Sequence, residues 1–430
     1  MALIDRARAA LVAGDGIAAE ARLREAVRAG VAREAVAALM GEAQLDQGDL
    51  ASARKWLGPA RFSPQTRAHG FRMLGRLEQR EGRFEAAARA YDAALQAAPN
   101  SIQVWTDIGR LRFAGGEQRE AIEASEHALA LAPGDGGALA LRAVLVRSQF
   151  GPVPALPWFE AALRQAPDDP EVLAEYAATL GDVGRAGAML EAARRLHDIA
   201  PKDPRVFYLQ AVLAARAGKD ALARRILDRA GDRLRDVPAA ILLGGVLDLR
   251  VGNVNLAVEQ FDRLTRMQPD NPIAQRLLER ALSRTGDAAG VRRLAHGKPF
   301  PALSTAPSWD PSRGPAAAAP YLRALLGAGR EAEAARIADR LRDEHPGSPD
   351  AKLMAGDVAF HAGRTSEALA AYDAAARIRF GEREALRLDA ALRTLGRERE
   401  ANAVLLSQAL KNPMAREPAR RLAASRQRAR

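Results

Sequence analysis

Glycine returns every 34 residues along this chain. Gly14, Gly48, Gly82, Gly116, Gly184, Gly218, Gly252 and Gly286 share one ladder, and the single rung without glycine, Phe150, is followed at once by Gly151. After a longer interval the thread resumes at Gly329, Gly363 and Gly396. A second thread runs beside it. The segment 68–99 carries Phe71, Leu74, Gly75, Gly82, Ala87, Tyr91, Ala94 and Pro99. One period later the same places hold Trp105, Ile108, Gly109, Gly116, Ala121, Ser125, Ala128 and Pro133. A period held this long excludes a single globular core and demands a stack of similar units.

Each recurring residue has a physical task. Between two helices the chain must reverse, and a left-handed residue ends a helix cheaply only when it is glycine. The small residues Gly75, Gly109, Ala143, Ala177, Ala211 and Gly245 mark where two helices cross most closely, with Ala53, Ala87, Ala121, Ala223, Ala257 and Ala368 answering from the second helix. Tyr91, Phe159, Leu227, Phe261 and Tyr372 fill the space beside them. Proline at the end of each unit stops its second helix and opens the next. Apolar residues between these marks recur at helical spacing with no strand-like alternation.

This pattern of large residue, Leu and Gly, then Gly, Ala, aromatic, Ala and Pro, resembles the tetratricopeptide repeat. The resemblance spans residues 2 to 413, is sharpest in 68–101 and 102–135, and is weakest in 136–169, where Pro152, Pro154 and Pro157 crowd the start of the second helix. It implies an all-α fold, a right-handed α-solenoid of about twelve helix-turn-helix repeats whose first helices line the concave face. Nine repeats are expected over 1–297 and three over 316–413. The interval from Gly286 to Gly329 exceeds one period, and the excess falls in a segment at 298–315 with five prolines, which forbid a regular helix there. That segment is expected to be an irregular connector; its Phe300, Leu303 and Trp309 leave open that it packs into a groove. Residues 414–430 hold six arginines and one glutamate and are expected to cap the stack with a helix starting near Glu417-Pro418.

Composition narrows the function. The chain has no cysteine, which removes disulfides, thiolate metal sites and cysteine nucleophiles. Its six histidines are not spaced to share a metal, and it has no His-Glu-x-x-His, no Gly-x-Ser-x-Gly elbow and no phosphate loop ending in Gly-Lys-Ser/Thr. No enzyme activity, metal or cofactor is expected. The net charge of +11 comes from 64 basic residues of which only six are lysine, a skew that reflects composition more than selection for polyanions. Charges at Asp5, Arg6 and Arg8 do not suit an export signal, and no apolar run is long enough for a membrane span, so a cytoplasmic location is expected, or a periplasmic one had a leader been removed.

The resemblance also implies a working surface. In this family the second, fifth, sixth, ninth, twelfth and thirteenth positions of each first helix face the groove. Those positions hold Arg72, Arg76, Arg80, Arg110 and Arg147, with Asp107 among them. Further on they hold Tyr208, Leu209, Val212, Leu242, Leu243, Val246 and Leu249, and then Arg276, Arg280 and Arg284. One reading is a groove that grips acidic groups at its rims and an apolar side chain at its centre. The other makes the leucines core and the arginines a solvated face. Some relatives bind the acidic C-termini of heat-shock chaperones through lysines and asparagines; the arginines and Asp107 here argue against that clamp. The expectation is a scaffold or adaptor that holds a peptide or helical segment of a protein partner carrying acidic and apolar groups. The alternative is a basic solenoid associated with nucleic acid or with an envelope assembly for secretion or polysaccharide; nucleic acid is not the expected partner.

Overall fold

The computed structural model describes residues 2–268, 271–286 and 315–428. Twenty-four α-helices account for these residues, with no strand among them. They run as α1 (Ala2–Val12), α2 (Gly16–Arg28), α3 (Arg33–Asp46), α4 (Leu50–Leu57), α5 (Arg67–Arg80), α6 (Phe84–Ala97), α7 (Ile102–Ala114) and α8 (Gln118–Leu131). Next come α9 (Gly136–Phe150), α10 (Pro152–Gln165), α11 (Pro170–Asp182), α12 (Ala186–Ile199), α13 (Pro204–Arg216), α14 (Asp220–Ala230), α15 (Pro238–Val251), α16 (Val254–Met267) and α17 (Pro272–Thr285). The C-terminal block holds α18 (Ala319–Gly327), α19 (Glu331–Glu344), α20 (Pro349–His361), α21 (Thr365–Ile378), α22 (Glu382–Thr394), α23 (Glu398–Lys411) and α24 (Arg416–Arg428). The fold is an all-α solenoid of helix pairs.

Local chemistry sets these boundaries. Ser101, Asp135, Asp169, Asp203 and Asn271 lie on one 34-residue ladder, and each accepts a hydrogen bond from a backbone N–H two or three residues on, satisfying donors that a helix start leaves orphaned. Proline opens α11, α13, α15, α17 and α20, where the missing N–H costs nothing. The ladder glycines take the left-handed conformation at the turn inside each pair, as at Gly82 (φ 76°) and Gly252 (φ 90°). α10 begins on Pro152 and carries Pro157 within it, so the proline-crowded repeat still forms its second helix.

Chain compactness divides the molecule into residues 1–142 and 143–430. In the first unit, α3 packs on both α4 and α5, and α5 on both α6 and α7. In the second, α11, α13, α15 and α17 approach one another in sequence. First helices of neighbouring repeats therefore lie closer together than second helices, which puts them on the inner side of each stack's curve. The expected connector at 298–315, except Pro315, lies outside the described residues. The C-terminal block belongs to the second unit, together with 143–286.

The cores are thin layers. Tyr91, Phe159, Phe261 and Tyr372 are almost completely buried. In four repeats the large side chain of the second helix lies over a glycine in the first: Leu57 over Gly41, Tyr91 over Gly75, Phe261 over Gly245 and Tyr372 over Gly356. The repeat at 102–135 has Ser125 at that place, and Leu141 of the following helix covers Gly109 instead. At the C-terminal end α24 covers the last repeat: Arg421 reaches Asp389 (3.2 Å), Arg393 reaches Ser425 (3.4 Å), and Ala415 and Pro418 are buried.

Candidate partner-binding face

The first helices of residues 1–142 share one face. Glu42 and Asp46 project from α3, His69, Arg72, Arg76 and Arg80 from α5, and Asp107 and Arg110 from α7. His69 Nε2 is 2.9 Å from Glu42 Oε2. Arg72 Nε donates to Asp107 Oδ2 (2.7 Å) and Arg110 Nη1 to Asp107 Oδ1 (3.2 Å), so the buried Asp107 is held between two guanidiniums. Burial works to raise the pKa of Glu42, but the His69 hydrogen bond and the charges of His69, Arg72 and Arg76 outweigh it and hold that carboxyl below its ordinary range. Burial and the neighbouring Glu42 push Asp46 upward, only partly offset by Arg76 and Arg80.

Three arginines do something else. Arg80 Nη1 donates to Leu45 O (2.5 Å), Arg216 Nη1 to Gly181 O (2.6 Å) and Arg284 Nη1 to Leu249 O (2.9 Å). Each donor sits in the last turn of one first helix, and each acceptor is a carbonyl in the last turn of the first helix before it. Such carbonyls lack the ordinary helical donor four residues on and carry the negative end of the helix dipole, although Gly48 N and Gly184 N donate to Leu45 O and Gly181 O from the closing turn. Arg147 is engaged likewise across repeats, with Glu175 (2.8 Å) and Asp182 (2.6 Å).

The structure therefore separates the residues expected at the groove. Arg72, Arg80, Arg110, Arg147 and Arg284 are on the first-helix face but already tie repeats together or hold Asp107. Arg76 is half-buried and faces Glu42 and Asp46; Arg276 and Arg280 are exposed. Leu209 and Leu249 are 3% and 6% exposed and belong to the core, because the helices on either side close over them. Tyr208, Val212, Leu242, Leu243 and Val246 are half-buried against those same cores. Burial, and then the charge of Asp182, pushes the Tyr208 phenol upward.

Another site lies in the second unit and was not expected. A cleft of about 670 Å³ opens between the start of α17 and the first helices α18, α20 and α22. Leu322, Leu326, Met354 and Leu386 give it an apolar floor, with Arg323, Arg383, Arg387 and Asp357 around it. Asp357 accepts two hydrogen bonds from Arg387 (2.6 and 2.7 Å) and one from the Tyr372 hydroxyl (2.9 Å). Below it, Arg379 donates twice to Asp350 (2.8 and 3.0 Å) and once to Glu384 (2.9 Å), and Arg383 also donates to Asp350 (2.9 Å). Burial works to raise Asp350, but the hydrogen bonds and charges of Arg379 and Arg383 prevail and hold it below the usual carboxylate range. The signal for this cleft was in the sequence: the displacement that carries Gly82 to Gly329 also carries Arg76 to Arg323 and Arg110 to Asp357.

Among the described residues no cluster of three or more His, Asp or Glu could hold a metal ion, and no helix is long and apolar enough to cross a membrane. Two family models, both described as tetratricopeptide repeat, match the chain: one at residues 172–237 and 313–381, the other at 68–111. No curated protein sequence is significantly similar to this chain. Solved structures to which the chain is similar include a tetratricopeptide repeat protein from Parabacteroides merdae, 20% identical, covering 56% of this chain and 96% of its own, with a TM-score of 0.42. Pseudomonas aeruginosa pilF is 19% identical over 46% of this chain and 90% of its own, with a TM-score of 0.40. The APC/C hetero-tetramer Cut9-Hcn1 is 12% identical over 97% and 88%, with a TM-score of 0.42. The repeat ladder, the helix pairs that realise it and the matching family models agree, and the chain is a tetratricopeptide-repeat protein.

Proposed function

We propose that this protein is a non-catalytic scaffold that holds a peptide or helical segment of a partner protein against its first helices. The observation that carries this reading is the cleft of the C-terminal block. Its floor is apolar and its charged rim holds three arginines against one aspartate, a lining suited to an apolar side chain flanked by carboxylates. In the first unit, Arg76 and Arg110 add guanidinium groups on the corresponding face, each with part of its surface open. Arg276 and Arg280 are exposed on α17, whose first turn borders the cleft. Arginine suits this role because its planar fork binds carboxylates in pairs of hydrogen bonds.

Affinity purification with quantitative mass spectrometry tests the reading, comparing the wild-type chain with Arg383→Glu and with the double variant Arg76→Glu/Arg110→Glu. Circular dichroism first establishes that each variant is folded. The expected result is loss of a defined set of partners from at least one variant. A partner set identical in all three chains would defeat the proposal.

A further inference from the structure

We infer that the outer face of α23, with the adjoining turn between α9 and α10, is a second docking surface, and that it receives an amphipathic helix with acidic flanks from another protein. It lies apart from the first-helix face and does not depend on the function proposed above.

The repeat itself shows that this face is exceptional. The outward position of the second helix runs from Asp92 to Asp262 at 34-residue steps as Asp, Glu, Glu, Arg, Asp and Asp, and continues after the connector as Asp339 and Asp373. In the last repeat it is Leu406. One helical turn on, Asp343 and Arg377 are followed by Leu410, and just past the helix Gly347 and Gly381 are followed by Met414. Leu406, Leu410 and Met414 are 42%, 69% and 45% exposed. Two adjacent places that carry charged residues in the two preceding repeats, and a third that carries glycine there, are therefore apolar and open in this one, at the one-per-turn spacing that a helix presents on one side.

The stripe ends beside the other irregularity of the ladder, since Lys411 next to Leu410 reaches Phe150. Phe150, at the rung where glycine is missing, and Val153 are both partly exposed. They flank the place where the chain returns on itself. Phe380 N donates to Gln149 O (2.8 Å), and the Lys411 ammonium stands 5.8 Å from the Phe150 ring centre and 4.7 Å from that of Phe380. A methyl group on Gly151 would lie 2.9 Å from Lys411 O, and one on Gly184 would meet Met414 Sδ at 3.9 Å. The two departures from the repeat pattern thus lie side by side, joined at Lys411.

Charge identifies the occupant. From Lys411 to the end of the sequence the chain has one lysine and six arginines against the single acid Glu417. Arg416 and Arg420 are exposed beside the stripe, and Glu417 is already shared between Arg420 and Arg421. A second copy docked by two-fold symmetry would bring this basic rim against itself. A helix with apolar residues one turn apart and acidic flanks satisfies both the stripe and the rim.

The test uses the full chain and a fluorescein-labelled amphipathic peptide of about five turns, with leucine along one face and glutamate on both flanks. The double variant Leu406→Asp/Leu410→Arg installs the residues of the preceding repeat, Asp373 and Arg377, on an exposed surface, so its helix content and melting should match the wild type. Fluorescence anisotropy should show the peptide bound about tenfold or more tightly by the wild type than by the variant, as removing a buried apolar anchor does. A peptide with lysine in place of glutamate should bind about tenfold more weakly. No binding by the wild type, equal binding by the variant, or equal binding of the lysine peptide would each overturn the inference. So would a dimer in sedimentation velocity that the variant abolishes, since the occupant would then be a second copy. Peptide binding lost in Arg383→Glu but kept in the leucine variant would assign the peptide to the first-helix cleft and overturn this inference alone.

Discussion

At the residue scale, glycine does two different jobs in this chain, and they should respond differently to substitution. Gly252 has φ of 90° with no atom within 4 Å of a built methyl group, so alanine there meets strain and no clash. Gly245 is helical, and its methyl group would lie 2.6 Å from Phe261 Cε1. Urea unfolding should show Gly252→Ala costing about 1 kcal/mol from backbone strain. Gly245→Ala should cost about 1–3 kcal/mol, because a close-packed ring must move. A Gly245→Ala variant as stable as wild type would refute the close approach. Asp350 supplies a pH signature. Its folded-state pKa is held below the ordinary 3.8, so its ion pairs with Arg379 and Arg383 stabilise the fold fully above that value and are lost as pH falls through the lower one. The stability difference between wild type and Asp350→Asn should therefore be greatest near neutrality and shrink towards pH 3, as followed by urea titrations at several pH values.

At the element scale, the arginine links between first helices are the recurrent bond of the stack. Arg80, Arg216 and Arg284 each donate to a carbonyl in the last turn of the preceding first helix, where Leu45 O and Gly181 O also accept the N–H of Gly48 and Gly184. Substituting Arg216 by methionine keeps most of the stem but removes the cation and the donor. A loss of about 0.5–2 kcal/mol in urea unfolding is expected from the hydrogen bond and the helix-terminus charge together. Arg80→Met and Arg284→Met share no partners and should be additive within about 0.5 kcal/mol. Ser125 makes the converse case. Its hydroxyl is fully buried without a hydrogen-bond partner, so Ser125→Ala should leave stability unchanged or raise it by about 1 kcal/mol in the same measurement.

At the scale of the molecule, a solenoid is ordinarily a one-dimensional chain of nearest-neighbour interfaces. The second unit departs from this because the turn at 149–151 meets Phe380 and Lys411 across more than two hundred residues. That seam adds a non-local term, which couples the C-terminal block to the repeats beginning at α9. Valine at position 151 cannot approach Lys411 O as glycine does. Hydrogen exchange followed by mass spectrometry should show Gly151→Val accelerating exchange in α21 to α23 while α13 and α15 stay protected. Uniform protection in both chains would mean that the seam contributes nothing.

How much of this was legible beforehand depends on distance along the chain. The ladder of glycines, the small residues at the crossings and the prolines between units are local requirements of a helix pair, repeated, so the sequence by itself determined the architecture. It also located Arg72, Arg76 and Arg110 on one face, since helical register is a short-range property. It could not tell whether a leucine such as Leu209 faces groove or core, because one residue of register and the tightness of the curve decide that. Nor could it show that Arg80 and Arg284 are spent on carbonyls of the preceding repeat, that Asp350 is buried among arginines, or that the irregular rung at Phe150 meets the end of the last repeat. Those depend on how small rotations between successive repeats accumulate, and only the tertiary structure fixes that sum.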